Sequence, residues 1–393
     1  MSNILDVRIA RKGSTRNAPS AELSLPASPY QVLDALEKIR TTQNDEIHVQ
    51  IEDCHGFDYL PQMIDRSCGV YELNALAEKL STLDAPQRTV YQGLARMEMD
   101  KRGGPLPASL LMDLAHSTDT CHVVVARNDA ELGRFYADNG FVPEVESLPD
   151  EIYEWLDFEQ IGRRMRKDEG GVFMDGCYVV RDGELVHTGI PLPDGPPQPE
   201  YIFRLTVAQA YSEGFEIRAT TLDLPASESE LDAVPQKLGA ASWADVVITG
   251  YDGAIPDLPT KGHDAIGQLN ELAKVVEDVR ASGNLTRYKA ILAATECGEV
   301  DEMRDLANSM DDYIFSPSLR SPEELALSEL KIAMADTMVE QLLPHLDLRG
   351  FGEAMAKSQN MVFTGYGAVE RQDGGPVQGI SQESGSQGPE MTM

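Results

Sequence analysis

The chain has 393 residues, with 33 Lys and Arg set against 65 Asp and Glu, and a formal net charge of −32. That length predicts more than one domain, and a hydrophobic content of 42% excludes a wholly disordered chain. The charge opposes direct binding to nucleic acid or to anionic membranes and points to a partner with a positive surface. No apolar run reaches the roughly 18 residues of a membrane span, and the start Met1-Ser2-Asn3-Ile4-Leu5-Asp6 lacks a basic-then-apolar leader, so a soluble, cytoplasmic protein is expected. The five cysteines (Cys54, Cys68, Cys121, Cys177, Cys297) form no Cys-x-x-Cys pair and read as reduced, buried small hydrophobes.

Taken in chain order, the predicted elements occur twice. A strand over 5–10 leads to Leu25-Pro26-Ala27-Ser28, where Ser28 with Gln31 reads as a helix capping box, and a second strand follows over 46–51. Leu73, Leu76, Leu80 and Leu83, then Val90, Leu94 and Met97, fall at the three- and four-residue spacing of an amphipathic helix pair. A strand at 122–126, a helix over 131–139, a helix from Leu156 and a hairpin over 172–181 turning at Asp175-Gly176 complete the first set. Asp182 to Glu200 is rich in Pro and reads as a linker. Then Ile202 to Val207 reads as a strand, Leu224-Pro225-Ala226-Ser227 repeats the earlier tetrapeptide with Glu230 completing its capping box, and a strand follows over 244–249. Tyr71-Glu72-Leu73-Asn74-Ala75-Leu76-Ala77 is answered by Gly267-Gln268-Leu269-Asn270-Glu271-Leu272-Ala273, and the Leu156-Asp157 to Gly162 segment by Leu346-Asp347 to Gly352. Val172-Phe173 is answered by Val362-Phe363 in a closing hairpin over 361–370.

The expected fold class is therefore α+β, a multi-domain chain of two tandem copies, each with small α/β blocks flanking a helical block. The expected limits are 1–66, 67–115 and 116–185 for the first copy, 186–200 for the linker, 201–260, 261–295 and 296–371 for the second copy, and 372–393 for a disordered tail. Residues 1–199 carry −14 and residues 200–393 carry −18, so acidity belongs to both copies rather than to a tail.

The motifs of common catalytic and metal sites are absent: no His-Glu-x-x-His, phosphate loop, nucleophile elbow or calcium loop. Gly365-Tyr366-Gly367 lacks the third glycine of a dinucleotide fingerprint and lies in a hairpin. The histidines, His48, His55 and His122 among them, show no paired ligand spacing, and Asp53-Cys54-His55 has no second cluster to complete a metal site. Glu131 to Phe141 resembles a helix and turn of N-acetyltransferases, but the nearest phosphate-turn candidate, Gln92-Gly93-Leu94-Ala95, sits inside a predicted helix. Leu132, Phe135 and Tyr136 are accounted for by packing on a sheet. The run Gly162-Arg163-Arg164-Met165-Arg166-Lys167 reads as cations at a helix C-terminus rather than as a nucleic-acid patch. No catalytic residue, cofactor or metal is expected.

Acidic residues are concentrated in two places. Glu144, Glu146, Asp150, Glu151, Glu154, Asp157 and Glu159 form one stretch without a base. Glu296, Glu299, Asp301, Glu302, Asp305, Asp311 and Asp312 form the other, with Arg304 among them. On a helix, residues three or four apart stand about 5–6 Å apart at Cβ. That is close to the spacing of successive phosphates on one nucleic-acid strand. Both stretches are candidate DNA-mimic surfaces.

The order of the Leu-Pro segment with its capped helix, the Glu72-Leu73-Asn74 helix pair, the Phe135-Tyr136 helix, the Asp157-Phe158 to Gly162-Arg163 segment and a Phe-containing hairpin resembles the ArdA-type antirestriction proteins over residues 1 to about 185. The second half matches more weakly, with Glu353 where the motif has arginine. The resemblance implies a non-enzymatic, elongated DNA mimic of conjugative elements that occupies the DNA-binding groove of type I restriction-modification enzymes. It also implies pairing, here either as a homodimer or, because two copies share one chain, as an intramolecular pseudo-dimer. The alternatives from the residues are an N-acetyltransferase-like enzyme and an acidic scaffold of a mobile element.

Overall fold

The structure, a computed structural model, describes residues 3–377 except 14–18, 42–45, 146–147, 211–217, 257 and 259–264. In the first half, β1 (Leu5–Arg11) places Leu5, Val7 and Ile9 on one buried face, and β2 (Ser20–Leu25) answers with Ala21, Leu23 and Leu25. This period of two is what lets one face of a strand pack while the other meets water. The antiparallel register sets Leu5 opposite Leu25 and Val7 opposite Leu23. α1 (Pro29–Lys38) follows, and β3 (Ile47–Cys54) completes a sheet of order β2-β1-β3.

A short α2 (Leu60–Met63) leads to three helices, α3 (Val70–Ser81), α4 (Ala85–Arg102) and α5 (Ala108–Ala115). Val70, Leu73, Leu76, Ala77 and Leu80 form the buried stripe of α3, as the spacing predicts. Asp84 and Gln87 form a reciprocal capping box at the start of α4, and Gly103 ends it in the left-handed conformation. The last block contains β4 (Cys121–Val124), α6 (Asp129–Asp138), α7 (Asp150–Tyr153), α8 (Phe158–Glu169), β5 (Val172–Met174) and β6 (Cys177–Arg181), with sheet order β4-β6-β5. Asp175 and Gly176 both take positive φ, the conformation a tight hairpin turn requires.

The second half runs through β7 (Phe203–Gln209), β8 (Ala219–Leu224), α9 (Glu228–Leu238) and β9 (Val246–Gly253). It continues with α10 (Ala265–Ala281), α11 (Leu285–Thr295), α12 (Val300–Asn308), β10 (Tyr313–Ser316), α13 (Pro322–Ala333), α14 (Asp336–Leu342), α15 (Leu348–Gln359), β11 (Val362–Phe363) and β12 (Ala368–Arg371). Its sheets have the orders β8-β7-β9 and β10-β12-β11. The chain is thus mixed α+β with small antiparallel sheets. Among the described residues no helix is long and apolar enough to cross a membrane.

Two details explain why matching tetrapeptides and Leu-Asn pairs stand in both halves. The Ala27 backbone N–H donates to Asn74 Oδ1 at 2.7 Å while Asn74 Nδ2 donates to Ala27 O at 3.1 Å. Ala226 and Asn270 make the same two bonds at 2.7 and 3.0 Å. Each asparagine satisfies both backbone groups of the residue after a Leu-Pro step, a polar pair that would otherwise be left open. The Ser227–Glu230 capping box forms as predicted.

Three observations bear on the expected limits. In the second half α12 packs on α10, and its buried Met303 and Leu306 share a core with Leu269 and Leu272. The tail does not become irregular at once, because Gln372 N donates to Asp312 O and Val377 is buried; residues 378–393 lie outside the described set. The third concerns α1. The described chain divides into two compact units, 1–28 with 39–197 and 29–38 with 198–393, so α1 belongs with the second half.

Within that second unit, Lys289 of α11 is buried and bonds Asp34 at 3.2 Å and Glu37 at 3.0 Å. Tyr366 donates its hydroxyl to Asp34 at 2.6 Å, and Tyr30 donates to the Tyr201 carbonyl at 2.5 Å. Arg320 donates to the carbonyls of Glu37 and Lys38, placing a cation at the negative end of α1.

Tyr91 of α4 and Tyr288 of α11 are both fully buried, yet only one hydroxyl has a partner. Tyr288 donates to Met303 O at 2.6 Å, whereas the Tyr91 hydroxyl has none among the described residues. Tyr91→Phe is therefore expected to stabilise the protein by about 1 kcal/mol and Tyr288→Phe to destabilise it by about 1 kcal/mol, opposite signs readable in urea denaturation.

Candidate functional site

The first acidic stretch is held by a helix pair. α6 and α8 cross at Gly133 and Gly162, with backbone against backbone: a Cβ on Gly162 would overlap the Asp129 carbonyl and one on Gly133 the Phe158 carbonyl. Leu132 and Tyr136 of α6 pack in a small core with Val124, Val142 and Tyr178, while Tyr153, Leu156 and Ile161 close over it. Asp157 caps α8, its Oδ1 accepting from Gln160 N at 3.0 Å. The turn between α7 and α8 is fixed by Trp155 N to Ile152 O at 3.0 Å and Leu156 N to Tyr153 O at 3.2 Å.

The predicted acids separate by what they touch. Glu144 meets Arg164 at 3.5 Å, and Glu159 pairs with Arg163. Glu151 and Glu154 are exposed and make no ion pair among the described residues. Asp150 opens α7, but its side chain and all of Glu146 lie outside the described set. The basic run, read from sequence as a helix end, is committed to acids: Arg166 bonds Asp129 through two nitrogens at 2.8 and 3.0 Å. Hydrogen bonds from Arg166, despite some burial, hold the Asp129 carboxyl below its usual range. Lys167 stands exposed in the last turn of α8.

In the second unit, α12 turns Met303 and Leu306 inward and Asp301 and Asp305 outward. Asp301 accepts from Gln268 at 3.0 Å and meets Arg304 at 3.3 Å; Asp311 meets Arg287 at 3.5 Å; Glu302, half-buried, accepts from the Cys297 thiol at 3.7 Å. Glu296, Glu299, Asp305 and Asp312 are exposed and make no ion pair among the described residues. Glu296 also ends α11 in the left-handed conformation, so its position follows from the turn as well as its charge.

The other candidates have local structural partners. The first turn of α6 carries Asp129 and Glu131, and its Asn128 cap accepts from Glu131 N. Gln92 to Ala95 lie buried inside α4, with Gly93 against Val179. His55 bonds Asp6 at 2.7 Å. Burial pushes the neighbouring Cys54 thiol up to about 12. Among the described residues no group of three or more His, Cys, Asp or Glu could hold a metal ion.

The sequence did not mark the commitment of individual acids to arginines or caps, since those partners depend on tertiary approach. What it could have marked is the N-cap logic: Asp157 and Asp347 each precede a helix by one residue, and each accepts from the N–H three residues on. Neither a protein-family model nor a curated protein sequence matches this chain.

Proposed function

We propose that this chain is a non-enzymatic antirestriction protein, a duplex-DNA mimic that occupies the DNA-binding groove of a type I restriction-modification enzyme. The observation that carries the reading is the set of exposed carboxylates that make no ion pair among the described residues, Glu151 and Glu154 in one unit and Glu296, Glu299, Asp305 and Asp312 in the other. They belong to a chain whose net charge is −32 and whose only basic run is spent on internal ion pairs and a helix end. At one charge per about 1.7 Å of duplex, that total matches roughly 54 Å of DNA. The ArdA-like motifs now have local roles that support the resemblance: Asn74 ties the Leu-Pro segment to α3, Asp157 caps α8, and Gly162 permits the close approach of α6.

We infer further that the two halves arose by tandem duplication. The same sheet orders, the same asparagine clamp and the same Asp-capped helix in both support this.

Competition tests the reading: the purified full chain should displace duplex DNA from a type I methyltransferase complex. Neutralising Glu151, Glu154, Glu299, Asp305 and Asp312 together to Gln or Asn should raise the half-inhibitory concentration by about tenfold at low salt. The difference should shrink between roughly 0.01 and 1 M salt, as the Debye length falls from about 30 to 3 Å. Undiminished competition by the neutralised chain would refute the role of these acids. Asp157 is left out of the set because it caps α8.

A further inference from the structure

Trp155 is 87% exposed and Ile152 50% exposed on the turn that joins α7 to α8. A large aromatic side chain is seldom left in water, and isolated exposure of a leucine would mean nothing. Here the exposure comes with an anchored backbone. Tyr153 and Leu156 point into the small core, Tyr153 bonds Asp138, and two backbone hydrogen bonds close the turn, so Ile152 and Trp155 face outward on a fixed support. Glu151 and Glu154 stand exposed in the same segment, and Asp157 follows. The second half, which repeats the Leu-Asp step at Leu346-Asp347, has His345 where the first has Trp155.

We propose that Trp155 is the anchor by which this acidic turn docks on a cationic protein groove, its indole stacked on an arginine guanidinium of the partner. The argument for that occupant is charge complementarity. Carboxylates beside an indole repel an acidic or purely apolar surface, and both carboxylate and indole are natural partners of arginine. Interface energy concentrates in tryptophan, tyrosine and arginine at sites that become desolvated, and a pinned turn loses little freedom when it binds. The proposal rests on the reading that the acids receive a cationic groove, and adds which side chain supplies affinity as opposed to steering.

The test measures affinity of the full chain for a type I methyltransferase complex across a salt series. Trp155→Ala should weaken binding at least tenfold at every salt concentration and leave the salt dependence unchanged, and Trp155→Phe should restore part of the loss. Glu151→Gln with Glu154→Gln should do the reverse, reducing the salt dependence. Wild-type affinity in Trp155→Ala would overturn the proposal while leaving the mimicry reading intact. A second measurement does not depend on the enzyme. The chain has two tryptophans, and the other, Trp243, donates to Leu231 O, so Trp243→Phe leaves Trp155 as the single indole reporter. Labelled octa-arginine that binds this chain should change Trp155 emission in step with its own anisotropy; binding without an emission change would overturn the anchor. Absence of binding by both octa-arginine and the enzyme at low salt would remove the cationic-groove reading and the anchor with it.

Discussion

Gly162→Ala is expected to lower stability by at least about 3 kcal/mol and to strip hydrogen-exchange protection from α6 and α8. The added Cβ would overlap a backbone carbonyl, Asp129 O, and not the far end of a side chain that could swing away. Relief requires the two helices to separate, which opens the contact of Leu132, Tyr136 and Tyr178 beneath them. Gly352→Ala in α15 should act alike in the second unit, where the obstacle is Pro322 O. Gly104→Ala, where a Cβ would meet open space, should stay within about 0.5 kcal/mol and serves as the control. Thermal unfolding with hydrogen exchange by mass spectrometry reads both quantities. Unchanged protection in α6 and α8 of the Gly162 variant would contradict the observed helix crossing. Because this crossing carries the turn with Glu151, Glu154 and Trp155, the proposed competition with duplex DNA should weaken along with the loss of protection.

Lys289→Met is the second large effect, at about 3–5 kcal/mol, because it removes the buried cation shared by Asp34 and Glu37 and leaves Asp34 only the half-exposed Lys38. Replacing all three together, as Lys289→Met, Asp34→Asn and Glu37→Gln, should recover most of the loss, since neutral groups need no counter-charge there. The pH dependence follows from the two carboxyls. Burial acts to raise Asp34, but Lys289, Lys38 and the Tyr366 hydroxyl outweigh it and hold its carboxyl below the usual 3.8; its stabilisation is present above that value and lost as pH falls through the lower folded one. Burial dominates at Glu37 and raises its carboxyl above 4.5 even with Lys289 beside it, so its contribution has the opposite sign and declines as pH rises through the raised value. Removing Lys289 raises both carboxyls in the folded state. The gap between variant and wild type in urea denaturation should therefore narrow as pH is lowered from about 7 to about 4. A gap that widens would show that the cluster is not held by this lysine.

Much of the fold was legible in order and type. The stripe of Leu73, Leu76 and Leu80 follows from the period of a helix, the alternation of Leu5, Val7 and Ile9 from the period of a strand, and the Asp175-Gly176 turn from residues that tolerate positive φ. The packing of α12 was less legible. The stretch from Glu296 was read by its charge, yet Met303 and Leu306, three residues apart, face a core shared with α10, while Asp301 and Asp305 face outward.

By itself, then, the sequence determined the local periods, the capped starts and the net charge of −32, because each of these depends on residues a few positions apart or on a sum over the chain. The tertiary structure alone decided that α1 groups with residues more than 160 positions away, which of the clustered acids are answered by arginines, and that Trp155 faces water and not core. Those outcomes turn on which surfaces meet after the chain has folded, and charge or hydropathy along a line carries no record of that.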